Sequence, residues 1–313
     1  MTALITGAAV PEAAPAGRRH GGGALRSVLR NRNAVIGLVL FLIFVVLAVV
    51  PQLFTSVDEP NKLAFAPAEP PSGTHLLGTT ALGQDIWAQL VYGTRQSLVI
   101  ALVAGFFATV LSVLVGVSAA YLGGIADEVL SVIINLFLII PTFPLIIILA
   151  TYAGKGTLTV VLVVLVVTGW SYGANQLRAQ ALSLRNRDFL ESARVRGERR
   201  SYIILAEMLP TMTSLIVANF LGAALYSVLT AAGLQFLGLG DPNSISWGTM
   251  LYWSQNQQAL QSGMPLWSIA PGLCVALLGV SFALLNYAFD EISNPALRPV
   301  RRRRPVQPPR RRP

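Results

Sequence analysis

Six stretches of this chain contain no Asp, Glu, Lys, Arg or His: Ala34 to Leu53, Ser97 to Leu122, Val129 to Tyr152, Thr157 to Ala174, Met212 to Ala232 and Trp267 to Phe289. A helix of about 20 apolar residues crosses the roughly 30 Å hydrocarbon core of a bilayer. Lipid offers backbone groups no hydrogen-bond partners, so runs like these must cross as helices. They predict an all-α polytopic membrane protein with six transmembrane helices. Composition agrees, since 54% of the residues are hydrophobic and 12% are charged, against about 25% charged in soluble domains.

The basic residues, all arginine except Lys62 and Lys155, sort by side. Arg18, Arg19, Arg26, Arg30 and Arg32 precede the first run. Arg178, Arg185, Arg187, Arg194, Arg196, Arg199 and Arg200 lie between the fourth and fifth. Arg298, Arg301 to Arg304 and Arg310 to Arg312 form the tail, leaving only Lys62, Arg95 and Lys155 for the other side. An excess of Lys and Arg marks the cytoplasmic side, which predicts that both termini and the 175–211 segment are cytoplasmic. The net charge of +9 is therefore a lipid-headgroup signal, and no aromatic interleaving suggests nucleic-acid binding.

Several chemistries are excluded. Cys274 is the single cysteine, and His20 and His75 are far apart, so no disulfide or metal cluster is expected. His20-Gly21-Gly22-Gly23 has no Gly-x-Ser-x-Gly elbow to accompany it. Gly233 to Gly238 has P-loop glycine spacing, but Leu239 stands where the phosphate-binding lysine belongs. The spans hold no titratable carboxylate or histidine of the sort that ion-coupled carriers use, so energy for uphill transport must come from outside the chain.

The remaining organisation follows from the spans. Residues 1–33 read as a disordered cytoplasmic tail, 34–96 as the first span plus an outer loop, 97–291 as a five-span core, and 292–313 as a basic tail. Within the core, the cytoplasmic loop covers 186–210. The outer loop 233–266 carries "LQFLGLGDPNSISWGTML" and reads as a packed or re-entrant hairpin.

The cytoplasmic loop is the most informative segment. Asp188 reads as an N-cap for a helix from Phe189 to Arg196, with Glu191 three residues later as in a capping box. Gly197 fits a left-handed C-terminal cap, and Arg194 and Arg196 suit the negative end of the helix dipole. Phe189, Leu190 and Ala193 make a small apolar face, and a helix so short needs something to pack against; the pattern predicts a partner protein. Ser201 can start a second helix, stopped at Leu209-Pro210.

These residues resemble the signature of the inner-membrane permease subunits of ATP-binding-cassette importers: Glu-Ala-Ala, three residues, Gly and, a dozen residues on, Leu-Pro. Here it reads Glu191-Ser192-Ala193, Gly197, Leu209-Pro210. Ser192, Glu198 and Glu207 depart from the pattern, which more often has Ala, a small residue and His. "HLLGTTALGQDIWAQLVYGTRQSL" from His75, "FLGLGDPNSISWGTML" and "PLWSIAPGL" are similar to blocks of the dipeptide/oligopeptide/nickel branch. The chain most resembles the second of the two permeases in such systems. Thr80 and Gln84 replace an Asp and an Arg usual there, and Val132 and Asn135 replace another such pair.

The resemblance implies a non-catalytic permease subunit of the bacterial inner membrane, with no cofactor of its own. Its partners would be a second homologous permease, two ATPase subunits that bind ATP and Mg, and an extracytoplasmic substrate-binding protein. The loop would be the coupling helix that docks in a groove of the ATPase. Glu191 would order its start, Ala193 permit close docking, Gly197 make the bend, and Leu209-Pro210 pass motion to the fifth span. The rivals are a membrane scaffold that transports nothing and an ion-coupled carrier.

Overall fold

The computed structural model describes residues 31–152 and 157–293. The two tails fall almost wholly outside the described residues, as does Lys155. The first helix, α1 (Arg32–Val49), already begins two residues before the expected tail boundary, because Asn31 accepts the Asn33 N–H at 2.9 Å and caps it.

The second apolar run belongs to a longer helix, α2 (Ile86–Leu122), of 37 residues. At 1.5 Å per residue it is about 55 Å long, well beyond the hydrocarbon thickness. Its extra turns come from the outer block: Asp85 Oδ1 accepts the Ala88 N–H at 2.7 Å as the N-cap. His75 Nδ1 lies 2.7 Å from Asp85 Oδ2, and both residues are buried. The segment from His75 is thus packed structure continuous with the span, where the sequence suggested a loop up to residue 96.

The third span is not one helix. α3 (Gly124–Ile139) and α4 (Thr142–Tyr152) meet at 91°. Ile140 is extended (φ −62°, ψ 128°) ahead of Pro141, the conformation a following proline favours, and Pro141 and Pro144 each lack an N–H. The sequence predicts a single span over 129–152. The fourth span is α5 (Leu158–Gly169) and α6 (Ser171–Leu184), interrupted at Trp170 and carried past Ala174 into residues read as polar loop. α7 (Asp188–Val195) follows in the 186–210 loop. The fifth and sixth spans are α8 (Thr213–Phe236) and α10 (Pro265–Ser293). Between them α9 (Trp247–Asn256) forms the expected packed hairpin, opened by a reciprocal capping box of Ser246 and Thr249. Among the described residues, five helices are long and apolar enough to cross a membrane, or six with the α3–α4 pair taken as one span.

α2 is the central column, packed against α1, α3, α5, α6, α8 and α9. Its approach to α6 depends on Gly116, where a Cβ would lie 2.3 Å from the Ala174 carbonyl oxygen; small residues let membrane helices close in this way. The largest apolar cluster joins α1, α2, α8, α9 and α10 around Phe44, Trp247, Trp267 and Phe282. At one end of α2 the loops that precede α2 and α9 meet, Asn61 Nδ2 donating to the Asn243 carbonyl at 3.0 Å. At its other end lies the loop containing α7.

Candidate coupling loop and membrane cavity

α7 begins one residue earlier than the capping argument suggests. Arg187 is the extended N-cap residue, and its carbonyl accepts the Leu190 and Glu191 N–H groups at 3.0 and 3.1 Å. Asp188 makes no side-chain cap and occupies the first turn with Glu191, where both acids favour the positive end of the dipole. The C-terminal end matches the expectation. Gly197 has φ +78°, its N–H donates to the Arg194 carbonyl, and the Glu198 N–H donates to the Ala193 carbonyl at 3.2 Å. That pair of bonds is a Schellman closure, which favours glycine at the left-handed position.

The apolar face is where sequence and structure part. Leu190 and Ala193 are 0% exposed. They pack inside the chain, in a cluster with Val117, Ala120 and Tyr121 of α2, Leu177 and Ala181 of α6, and Ile203, Met208 and Met212. Ala193 therefore permits close packing on α2 and α6, and neither it nor Leu190 is free to dock a partner. The outward face consists of Phe189, 38% exposed, Val195, 84% exposed, and the exposed Glu191, Ser192 and Arg196. Arg194 serves the inner side too: its guanidinium lies 5.6 Å from the Tyr121 ring centroid and donates to the Arg185 carbonyl at 3.0 Å.

Beyond Gly197 the predicted helix stop is absent. A turn at Arg200–Tyr202, a π-helical stretch Ile203–Met208 and a turn Leu209–Thr211 run almost unbroken into α8. The wider turn absorbs the proline, since the Leu209 N–H reaches back five residues to the Ile204 carbonyl and Pro210 has no N–H to satisfy. Glu198 and Glu207, the two charged departures, flank Arg196 at 3.9 and 3.6 Å. They tie the end of α7 to the π-helical stretch, weakly because the group is exposed. Ser192 donates to the Asp188 carbonyl at 2.8 Å, a bond within the helix itself.

The structure adds two features that sequence reasoning missed. Asp127 of α3 and Arg178 of α6 form a bidentate ion pair at 2.6 and 2.9 Å, holding the broken third span to the fourth. A polar cavity of about 470 Å³ lies between α2, the α3–α4 bend, the α5–α6 interruption, α8 and α10. The missed signal was spacing within charge-free spans: Thr109 and Ser112, and Asn219, Gly222 and Tyr226, recur at helical intervals and line that cavity. At the outer end, Thr80 and Gln84 stand together as a neutral pair. The Gln84 N–H donates to Thr80 Oγ1 at 3.1 Å, and Gln84 Oε1 accepts from Gln89 at 2.9 Å. Val132 and Asn135 are both exposed on α3.

The family described as "Binding-protein-dependent transport system inner membrane component" matches residues 108–295, from the second half of α2 to the end of α10. The chain belongs to this family. A second match, the "N-terminal TM domain of oligopeptide transport permease C", covers residues 21–71. The chain is 31% identical to the oligopeptide transport system permease protein OppC of Mycobacterium tuberculosis (strain ATCC 25618 / H37Rv) over 283 residues, 89% of this chain and 95% of the relative. It is 28% identical to OppC of Bacillus subtilis (strain 168) over 221 residues, 70% of this chain and 72% of the relative. It is also 28% identical to the dipeptide transport system permease protein DppC of Alkalihalophilus pseudofirmus over 277 residues, 88% and 90% of the two chains. The chain is thus a multi-pass inner-membrane permease component of a binding-protein-dependent transport system.

Proposed function

We propose that this permease forms half of the translocation pathway of an ATP-driven importer of peptides, and that ATPase subunits dock on the outward face of α7. The observation that carries the docking is the two-sided construction of that helix. Its inner face, Leu190, Ala193 and Arg194, is fixed to α2 and α6, and its outer face offers Phe189 and Val195 among charges. A helix of 8 residues packed on one side passes a push on its outer face to the cluster that holds it, which joins α2, α6 and the 203–208 stretch. The Leu209-Pro210 segment is then a second route, to α8. Peptides are the solute because the relatives just described are named for oligopeptides and dipeptides.

In this reading the loop and both termini are cytoplasmic, following the arginines. A second permease completes the pathway, an extracytoplasmic binding protein delivers the solute, and ATP and Mg are bound by the ATPase subunits. A non-transporting scaffold has no need of a helix clamped at its base and exposed at its tip. The test is purification of the complex from native membranes in mild detergent, followed by reconstitution with its binding protein. ATP-dependent uptake of a labelled di- or oligopeptide, with a second permease and ATP-binding chains in the preparation, is the expected result. A chain that purifies alone and supports no uptake overturns the proposal.

A further inference from the structure

The cavity of about 470 Å³ has the size of a small-molecule site, such sites spanning roughly 300–1,000 Å³. Its position is unusual in that the broken third span borders it: Leu138 and Thr142 flank the α3–α4 bend. Non-helical backbone is tolerated at membrane depth only where it is buried in protein or lines a cavity, and discontinuous helices mark solute sites in transporters.

The chemistry of the wall is specific. Among the lining residues none is Asp, Glu, Lys, Arg or His. The hydroxyls of Thr109 and Thr168 donate to carbonyls of their own helices, those of Gly105 and Val164, at 2.8 and 2.9 Å. Asn219 Nδ2 is likewise turned to the Leu215 carbonyl at 3.1 Å. With those hydroxyl protons committed to the helices, lone pairs are what Thr109 and Thr168 can offer a solute, while Asn219 keeps a second N–H and Gln176 offers both an amide N–H and a carbonyl oxygen. Asn286, also in the wall, has a buried Oδ1 with no hydrogen-bond partner among the described residues. A buried acceptor of this kind is costly unless something donates to it.

We infer that this cavity is the solute compartment of the permease, and that its wall holds N–H-donating solutes of no net charge: short peptides with uncharged side chains. The inference rests on the peptide-importer reading. A peptide brings backbone N–H donors to the oxygens of Thr109, Thr168 and Asn286, and backbone carbonyls to the amide N–H groups of Asn219 and Gln176. A net charge on a side chain enters a low-dielectric space in which this chain supplies no counter-charge. The one ion pair nearby in the fold, Asp127 with Arg178, is bidentate and internally matched.

The experiment uses the complete importer, with uptake of an uncharged tripeptide and of its lysine-containing analogue measured side by side. At Gly222 an added Cβ meets only Asn286 Nδ2, at 3.7 Å, so Gly222→Trp fills the cavity without a backbone clash. It is expected to lower uptake at least tenfold while the complex assembles normally. Gly272→Trp on α10, outside the cavity and with open space at its Cβ, is expected to retain uptake. Asn286→Asp supplies the missing counter-charge and is expected to raise the ratio of lysine-peptide to uncharged-peptide uptake about tenfold. Wild-type uptake by assembled Gly222→Trp, or an unchanged ratio in Asn286→Asp, overturns the inference and leaves the importer reading intact. A wild-type complex that carries no peptide overturns both.

Discussion

Replacing Leu190 by alanine tests whether α7 is anchored inward. The side chain is fully buried among Val117, Tyr121, Leu177 and Met208, so truncation removes apolar contact and leaves a cavity. Leu→Ala changes in packed sites cost about 2–5 kcal/mol. An isolated helix of 8 residues is marginal in water, so α7 has little stability of its own to set against that loss. Even about 2 kcal/mol multiplies the undocked population roughly 30-fold. Hydrogen exchange of the 187–200 amides in lipid nanodiscs reads that population, and trypsin cleavage at Arg194 and Arg196 reads it again. Val195→Ala, at a side chain 84% exposed, is the contrast: its stability effect is expected within about 0.5 kcal/mol, while it weakens retention of the ATPase subunits. Unchanged exchange in Leu190→Ala, or equal loosening by both variants, refutes the inward anchor.

Other perturbations have calculable directions. Gly197→Val forces a β-branched residue to φ +78°; it is expected to cost about 1–2 kcal/mol and to speed exchange at the end of α7, with Gly197→Asn much milder. Asp85→Ala removes the α2 N-cap, about 1 kcal/mol, and strips buried His75 of its acceptor at 2.7 Å. It should lower the thermal midpoint of the purified protein, and Asp85→Asn, which keeps a capping oxygen, should recover part of the loss. Asp127→Ala and Arg178→Ala each leave one charge of a bidentate pair unmatched, so the double variant is expected to be more stable in a thermal melt than the worse single one.

What the sequence made legible was whatever depends on neighbours in the chain. The absence of charge in six windows marked the spans, and Gly197 marked a left-handed cap, because both are properties of the few residues involved. The break at Pro141 was not legible, because a proline inside an apolar run also fits a mild kink, and the 91° angle depends on what α3 and α4 each pack against. The orientation of α7 was illegible on its own terms. An amphipathic helix says that one face is buried and does not say by what, and the burying residues are Val117, Tyr121 and Leu177, distant in sequence. The π-helical stretch escaped notice because proline ordinarily ends a helix, and one wider turn lets the chain continue into α8. The cavity escaped notice because its polar residues, such as Thr109, Asn219 and Asn286, are scattered over separate apolar runs and brought together only by the fold.

The most direct test of the central claim is a photo-crosslinking amino acid at position 195 of the chain in its native membrane, with position 190 as the comparison and mass spectrometry to identify the adduct. The account predicts an ATP-binding subunit crosslinked from 195, and from 190 only crosslinks within the chain, to α2 or α6. No ATP-binding subunit at 195, or the same subunit captured equally from 190, would contradict it.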